Sequence, residues 1–294
     1  MNPDEVFTQH RGLMLRLAYD ITGSWSDAED VTQQAWERWH RADVVPDQPR
    51  AYLARIATNL ALDAVRRRES TGYPGVWLPE PVATGLAADE ELALAGEVEI
   101  ALMVVLGNLS PLERAAFLLH DVFSFSHQEV ADMLGREPAA VRQLASRARR
   151  HIEQRRPVDP AAAIDARELA RFTDAFIAAA RQGDLDTLEQ MLTADVVMVG
   201  DGGGKRPAAR RPIIGPDKVA RFCVGIARQV VEGTELVSVE ANHRPALAFY
   251  RHGKLDTLMW FLWRDRRVTM GLSVGNPDKL ALIEKQLRRR EVDE

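Results

Sequence analysis

The 294-residue chain is long enough for two or three domains, and at 46% hydrophobic and 28% charged residues it is too rich in apolar side chains to be a disordered chain. Its one cysteine, Cys223, excludes an internal disulfide framework and a cysteine-ligated zinc site. The net charge of −5 is no advertisement of nucleic-acid binding, but the average hides a pattern.

The opening MNPDEVFTQHRG has neither the basic nor the apolar region of a signal peptide. The longest apolar run, Ile100 to Leu106, is far too short to span a bilayer. A soluble cytoplasmic protein that does not engage a membrane is expected. Residues 5–20 carry Val6, Leu13 and Leu17 at helical spacing, with Phe7 and Met14 on the same side. Ser26-Asp27-Ala28-Glu29 reads as a capping box opening a helix through Val31, Ala35 and Trp39. After a proline-marked loop, a long helix from about Arg50 to Arg68 places Leu53, Ile56, Ala57, Leu60 and Val65 on one face. Residues 1–68 therefore form a compact helical domain.

Residues 69–91 are rich in Gly and Pro and read as a linker, yet the linker contains WLPEP (77–81). A helix is predicted from Leu92 to Leu106. Ser110-Pro111-Leu112-Glu113 and Ser126-His127-Gln128-Glu129 are two strong helix starts. The second helix ends at Gly135, and Pro138 opens another with Val141, Leu144, Ala145, Ala148 and Ile152 in one stripe. This second domain, 92–156, ends at a short proline-containing linker, 157–163. Beyond it, helices at 164–181 and 184–192 precede β-rich runs at Val196–Val199, Leu236–Val239, Leu247–Tyr250, Leu258–Trp263 and Val268–Val274. Further helices fall at 216–231 and 277–290. The domain 164–294 is α+β, with most strands antiparallel because their connections are short.

No Lys or Arg lies between Arg68 and Arg114, an interval with eight acidic residues, while arginines crowd both sides. Residues 126–156 have helix-turn-helix proportions, with Arg142, Gln143, Ser146 and Arg149 as outward candidates for reading a major groove. The bland reading is a solvated arginine face.

Together SDAEDVTQQAWERWHR (26–41), PRAYLARIATNLALDAVRRR (49–68), LSPLERAAFLLHDVFSFSHQEVADMLG (109–135) and AAVRQLASRARRHI (139–152) resemble bacterial sigma factors of the extracytoplasmic-function (ECF) type. The fold implied is multidomain, with two all-α DNA-binding domains, a sigma region 2 helical bundle and a sigma region 4 helix-turn-helix. The partners implied are core RNA polymerase, through the β′ clamp helices and the β flap, and promoter DNA, as a −10 single strand and a −35 duplex. The resemblance places Asp27, Asp30, Gln33 and Glu37 on the polymerase surface. Gln34 departs from the glutamate more usual there. Arg50, Tyr52, Arg55, Asn59, Arg66 and Arg67 fall where the −10 strand is held, and Asn59 matches the position that helps hold a flipped base. Arg142, Gln143, Ser146 and Arg149 would meet the −35 duplex. The acidic connector would mimic RNA in the polymerase exit path, or simply be a solvated linker.

Residues 172–205 resemble the start of SnoaL-like domains, an NTF2-like α+β cone. WLPEP (Trp77, Leu78, Pro79, Glu80, Pro81), DGGGK (Asp201, Gly202, Gly203, Gly204, Lys205) and NPDKL (Asn276, Pro277, Asp278, Lys279, Leu280) together resemble the ECF subgroup with a fused SnoaL-like domain, group 41. That resemblance implies a meeting of the three motifs, with Trp77 and Leu78 anchoring the linker in an apolar groove; the alternative is that Trp77 caps its own domain. Asp201, His243, Tyr250, His252 and Trp260 are the side chains a catalytic cone would use, but they form no triad or spaced pair, and no enzyme, cofactor or metal is expected. The expected protein is a monomeric alternative sigma factor controlled by its C-terminal domain, with a small-molecule ligand of that domain left open. The alternative is a one-component DNA-binding regulator.

Overall fold

The computed structural model describes residues 3–41, 46–84, 98–155, 166–209, 211–227 and 233–293. The chain divides into two units: Met1–Gly72 with Ala88–Arg155, and Tyr73–Ala87 with Arg156–Glu294. The start of the helix predicted from Leu92 and the linker at 157–163 lie outside the described residues.

In the first unit the regular elements of the described residues are all helices. Helices α1 (Pro3–Thr22), α2 (Trp25–Arg41) and α3 (Pro49–Thr71) pack on one another. Their apolar faces meet at Met14, Leu17, Ile21, Val31, Ala35, Leu53, Ala57 and Leu60, all buried. The start of α2 differs from expectation. Ser24, not Ser26, accepts a hydrogen bond from the Asp27 backbone N–H, at 3.2 Å, so Ser26 sits inside the helix and is exposed. The reason is Gly23, whose φ of 67° turns the chain and places Ser24 at the helix mouth.

Among the described residues four helices follow: α4 (Ile100–Leu106), α5 (Pro111–Phe117), α6 (His127–Leu134) and α7 (Pro138–Arg155). A π-helical turn, Leu118–Val122, continues α5. Both predicted capping boxes form: Ser110 and Ser126 accept from the N–H of Glu113 and Glu129, and each glutamate reaches back to its serine N–H. Gly135 closes α6 in the left-handed region, φ 61°. Val141, Ala145, Ala148 and Ile152 of α7 are buried, and Leu144 is only partly so. These bonds hold the Glu113 and Glu129 carboxyls below the usual range, chiefly through the serine hydroxyls. Replacing Ser126 by Ala is expected to lower stability by about 1 kcal/mol. The carboxylate's part of that stability is fully present above its unfolded pKa and fades as pH falls through the lower folded value. Denaturant titrations at neutral and acid pH check both statements.

The second unit is α+β. Its helices are α8 (Ala166–Gln182), α9 (Leu185–Gln190), α10 (Pro216–Ala227) and α11 (Pro277–Asp293). Its strands are β1 (Leu192–Asp201), β2 (Ile213–Ile214), β3 (Thr234–Ala241), β4 (Arg244–Arg251), β5 (Lys254–Arg264) and β6 (Arg267–Val274), in sheet order β2-β1-β6-β5-β4-β3. Every pairing is antiparallel except β1 with β6. Register shifts between Phe249 and Tyr250 and between Leu262 and Trp263 mark bulges, which bend strands and increase their twist. One cluster joins the helices to the sheet through Leu169, Phe176, Val219, Val196, Phe261 and Trp263. Trp260 is fully buried, its indole N–H donating to Ala241 O at 3.1 Å. It is a core residue. No helix among the described residues is long and apolar enough to cross a membrane.

Candidate functional site

On α2, Asp30, Gln33 and Glu37 are exposed and share one face by their three- and four-residue spacing. Asp27 differs: it is partly buried and lies 3.4 Å from Arg68, whose guanidinium also donates to Thr22 O at 2.7 Å. It is a structural ion-pair partner in this arrangement.

The side chains at the −10 candidate positions lie along α3. Arg55, Arg66 and Arg67 are exposed, and Tyr52 packs against Trp39. Arg50 and Asn59 are engaged by the second half of the same unit. Arg50 donates to Phe123 O at 2.7 Å and lies 4.0 Å from the centre of the Phe125 ring. Asn59 Nδ2 donates to Arg55 O at 2.9 Å and to Met133 O at 3.4 Å, at the end of α6. Arg114, which the sequence reading did not single out, fastens the same two halves. Its guanidinium is buried and donates to Ile21 O, Leu106 O and Gly107 O at 2.7, 2.9 and 3.2 Å. Burial, and then the nearby Arg68, pull its pKa down to about 10.

On α7, Arg142, Gln143 and Ser146 are exposed. Arg149 is held by Asp121 through a bidentate pair at 2.7 and 3.2 Å. Arg147 pairs with Glu113 at 2.7 Å. The α7 surface therefore mixes free donors with restrained ones.

Within the second unit the three short motifs converge on Asp201, whose side chain is fully buried. One carboxylate oxygen accepts from Tyr73 OH at 2.5 Å and from the Gly203 N–H at 3.0 Å. The other accepts from the Leu78 N–H at 3.0 Å and pairs with Lys279 Nζ at 2.7 Å. Lys279 is buried as well; its ammonium also donates to Leu78 O and lies 3.1 Å from the centre of the Trp77 ring. The indole of Trp77 therefore takes the Lys279 cation on its electron-rich face. Leu78, Val82 and Ala83 supply the apolar part of the contact, each nearly fully buried. Pro79, Glu80 and Pro81 are buried with them.

Asn276 closes the arrangement, donating to Tyr73 OH at 2.9 Å and accepting from the Asp278 N–H at 3.1 Å at the start of α11. Burial, with the hydrogen bond to Asp201 next, raises the Tyr73 pKa. The glycines have distinct jobs. A side chain on Gly202 would strike Arg206 O, one on Gly203 would strike the Asn276 amide, and one on Gly204 would press on Pro74. Gly203 and Gly204 also have φ of 59° and 71°. Lys205 pairs with Asp278 at 2.6 Å, but both are well exposed, so this bridge adds little. Further along, Val82 and Thr84 hydrogen-bond the end of β3: Thr84 N–H donates to Glu240 O and Asn242 N–H donates to Val82 O. Ala83 N–H donates to Gln286 Oε1 at 2.9 Å. Tyr73, Thr84, Asn242 and Gln286 lie outside the three motifs and carried no local signal. Asp201 is thus shared between the linker, the Gly203 N–H and Lys279.

The chain matches Sigma-70 region 2 over residues 6–71 and Sigma-70, region 4 over residues 99–152. It is 42% identical over 294 aligned residues to the ECF RNA polymerase sigma factor SigJ of Mycobacterium tuberculosis, covering 94% of this chain and 91% of that protein. To the ECF RNA polymerase sigma factor SigG of the same species it is 31% identical over 274 residues, covering 82% and 71%. The crystal structure of Mycobacterium tuberculosis SigJ superimposes with a TM-score of 0.74 at 36% identity, over 95% of this chain and 98% of the other.

Proposed function

The chain belongs to the extracytoplasmic-function sigma factors, alternative sigma factors acting in transcription initiation, and on that premise we propose that its C-terminal unit controls promoter recognition by gripping residues 73–84. The observation that carries this reading is Asp201: one buried carboxylate fastens Tyr73 and Leu78 of the linker and Lys279 of α11. The exposed α2 face with Asp30, Gln33 and Glu37 is the surface for the β′ clamp helices. Arg50, Tyr52, Arg55, Asn59, Arg66 and Arg67 hold the −10 strand, while Arg142, Gln143, Ser146 and Arg149 read the −35 duplex. In the observed arrangement Arg50, Asn59 and Arg149 have internal partners, so DNA must replace those bonds.

Run-off transcription with core polymerase on fragmented host DNA tests this. The full chain is expected to give specific transcripts, and Asp30→Arg is expected to abolish them while the protein stays folded. Failure of the folded full chain to give any specific transcript, with duplex DNA binding retained and the polymerase active with another sigma factor, would favour a one-component regulator.

A further inference from the structure

The second unit contains a cavity of about 360 Å³, within the size range of small-molecule sites. It adjoins a smaller apolar recess of about 80 Å³, and Met198, Phe222, Ile226, Phe249 and Met259 line both. The two form one apolar space between α10 and the sheet. Its charged groups are few. Asp201 lies in the wall but is neutralised by Lys279. Arg206, Arg251 and Asp256 stand together where the cavity meets solvent, with side chains 42%, 37% and 19% exposed. Asp256 is ion-paired with Arg206, and one of its oxygens is 3.9 Å from Arg251. At this mouth two guanidinium groups and one carboxylate leave one positive charge, and Arg181, in the lining of the recess, adds a second cation beside the apolar space. The Nε of Arg251 is buried and has no hydrogen-bond partner among the described residues. A buried donor left unused is costly, and Arg251 is a residue of the cavity lining.

We propose that this cavity binds a small monocarboxylic acid with an apolar body. The body fills the space lined by Met198, Phe222, Phe249 and Met259. The carboxylate takes the open donors of Arg251 and Arg206, and the hydroxyls of Thr257 and Ser273 lie in the same wall. A guanidinium has five donors in a fixed fork, so a second carboxylate joins without expelling Asp256. Asp256 then serves to orient the two arginines. A neutral ligand would leave the positive charge uncompensated, and a cation would be repelled by it.

The test uses the full chain with octanoate and 2-naphthoate as probes. Their neutral counterparts 1-octanol and 2-naphthol, and the cation octylamine, share the same bodies. Binding is followed by calorimetry and by the NMR shifts of 13C-methyl methionines. At least one acid is expected to bind ten-fold or more tightly than its alcohol. Saturable shifts are expected at Met198 and Met259 and not at Met133 of the first unit. Octylamine is expected to bind most weakly of its series. Comparing the two acids distinguishes a chain-shaped from a ring-shaped body. In Arg206→Gln/Arg251→Gln the preference for acid over alcohol is expected to fall at least ten-fold while the alcohol still binds. An acid preference below ten-fold for both bodies, the absence of saturable Met198 and Met259 shifts with both acids, or a preference that survives in the folded double variant would each overturn the proposal. If the double variant does not fold, the charge series on the unaltered chain decides.

Discussion

Asp201→Asn is expected to destabilise the C-terminal unit by about 3–5 kcal/mol, the range for breaking a buried ion pair by removing one partner. The substitution keeps the shape and leaves the Lys279 ammonium buried with no carboxylate against it. The Leu78 N–H keeps an acceptor only if the amide presents its oxygen there, and the Tyr73 hydroxyl then faces an NH2 group. Lys279→Met should cost less, because a neutral apolar side chain can lie under the Trp77 ring. The double variant should recover much of the loss seen in Asp201→Asn, since neither charge is then stranded. Denaturant unfolding of the full chain and three variants gives the coupling energy, and tryptophan fluorescence reports whether the linker leaves. A loss below about 1 kcal/mol in Asp201→Asn, or no recovery in the double variant, would show that the carboxylate is not the fastening point. In run-off transcription the same variant changes output in whichever direction the grip acts, and this assigns the sign of control.

Arg114→Met carries the second large effect. The side chain is the single donor group joining Ile21 O, before α2, with Leu106 O and Gly107 O, before α5. Three carbonyls lose a charged donor, and the expected loss of stability is about 3 kcal/mol or more. The change should also free the α3 surface proposed to hold the −10 strand. Arg50 and Asn59 are bonded to Phe123 O and Met133 O only while the helix-turn-helix half stays packed on α3. Loosening that packing shifts the population towards chains with both side chains available. Affinity for a −10 single strand, read by fluorescence anisotropy at fixed salt, should rise about ten-fold or more. Circular dichroism must show the helices intact. An unchanged or weaker affinity in a folded Arg114→Met protein would mean that the internal bonds do not compete with DNA.

Much of the fold was legible because its signals are local. Ser110, Ser126, Gly135 and Pro138 announce their helix ends from a few residues of sequence, and the β-rich runs fall on strands. The error at Ser26 is also local: two serines two residues apart compete for one cap, and Gly23 decides between them. The meeting of the three motifs came from resemblance, not from spacing, because nothing within WLPEP predicts a carboxylate more than a hundred positions later. Tyr73, Asn242 and Gln286 were illegible for the same reason, since each acts only through a distant partner. Arg114 looked like an ordinary arginine on an amphipathic helix. Its role arises from three backbone oxygens that tertiary packing brings to it. Asp27 shows a related limit: the resemblance placed it on a surface, and its ion pair with Arg68 carried no local signal.

The docked linker has a further consequence for reach. Region 2 ends with α3 at Thr71 and region 4 begins near Ile100, so residues 72–99 are the leash between the two DNA readers. While residues 73–84 lie fixed on the second unit, about twelve residues of that leash are out of play, roughly 40 Å of extended chain. Region 4 is then also tied at both ends to one body, leaving it after Thr84 and returning at Ala166. Closing a chain into a loop removes conformations that an open tether samples. The grip on Asp201 is therefore a length control as well as a contact. On the proposed function, a closed grip would shorten the distance over which the two regions can separate, and an open one would restore it. If the two regions read −35 and −10 elements as proposed, promoters that demand a longer span would feel the state of a single buried carboxylate without ever touching it.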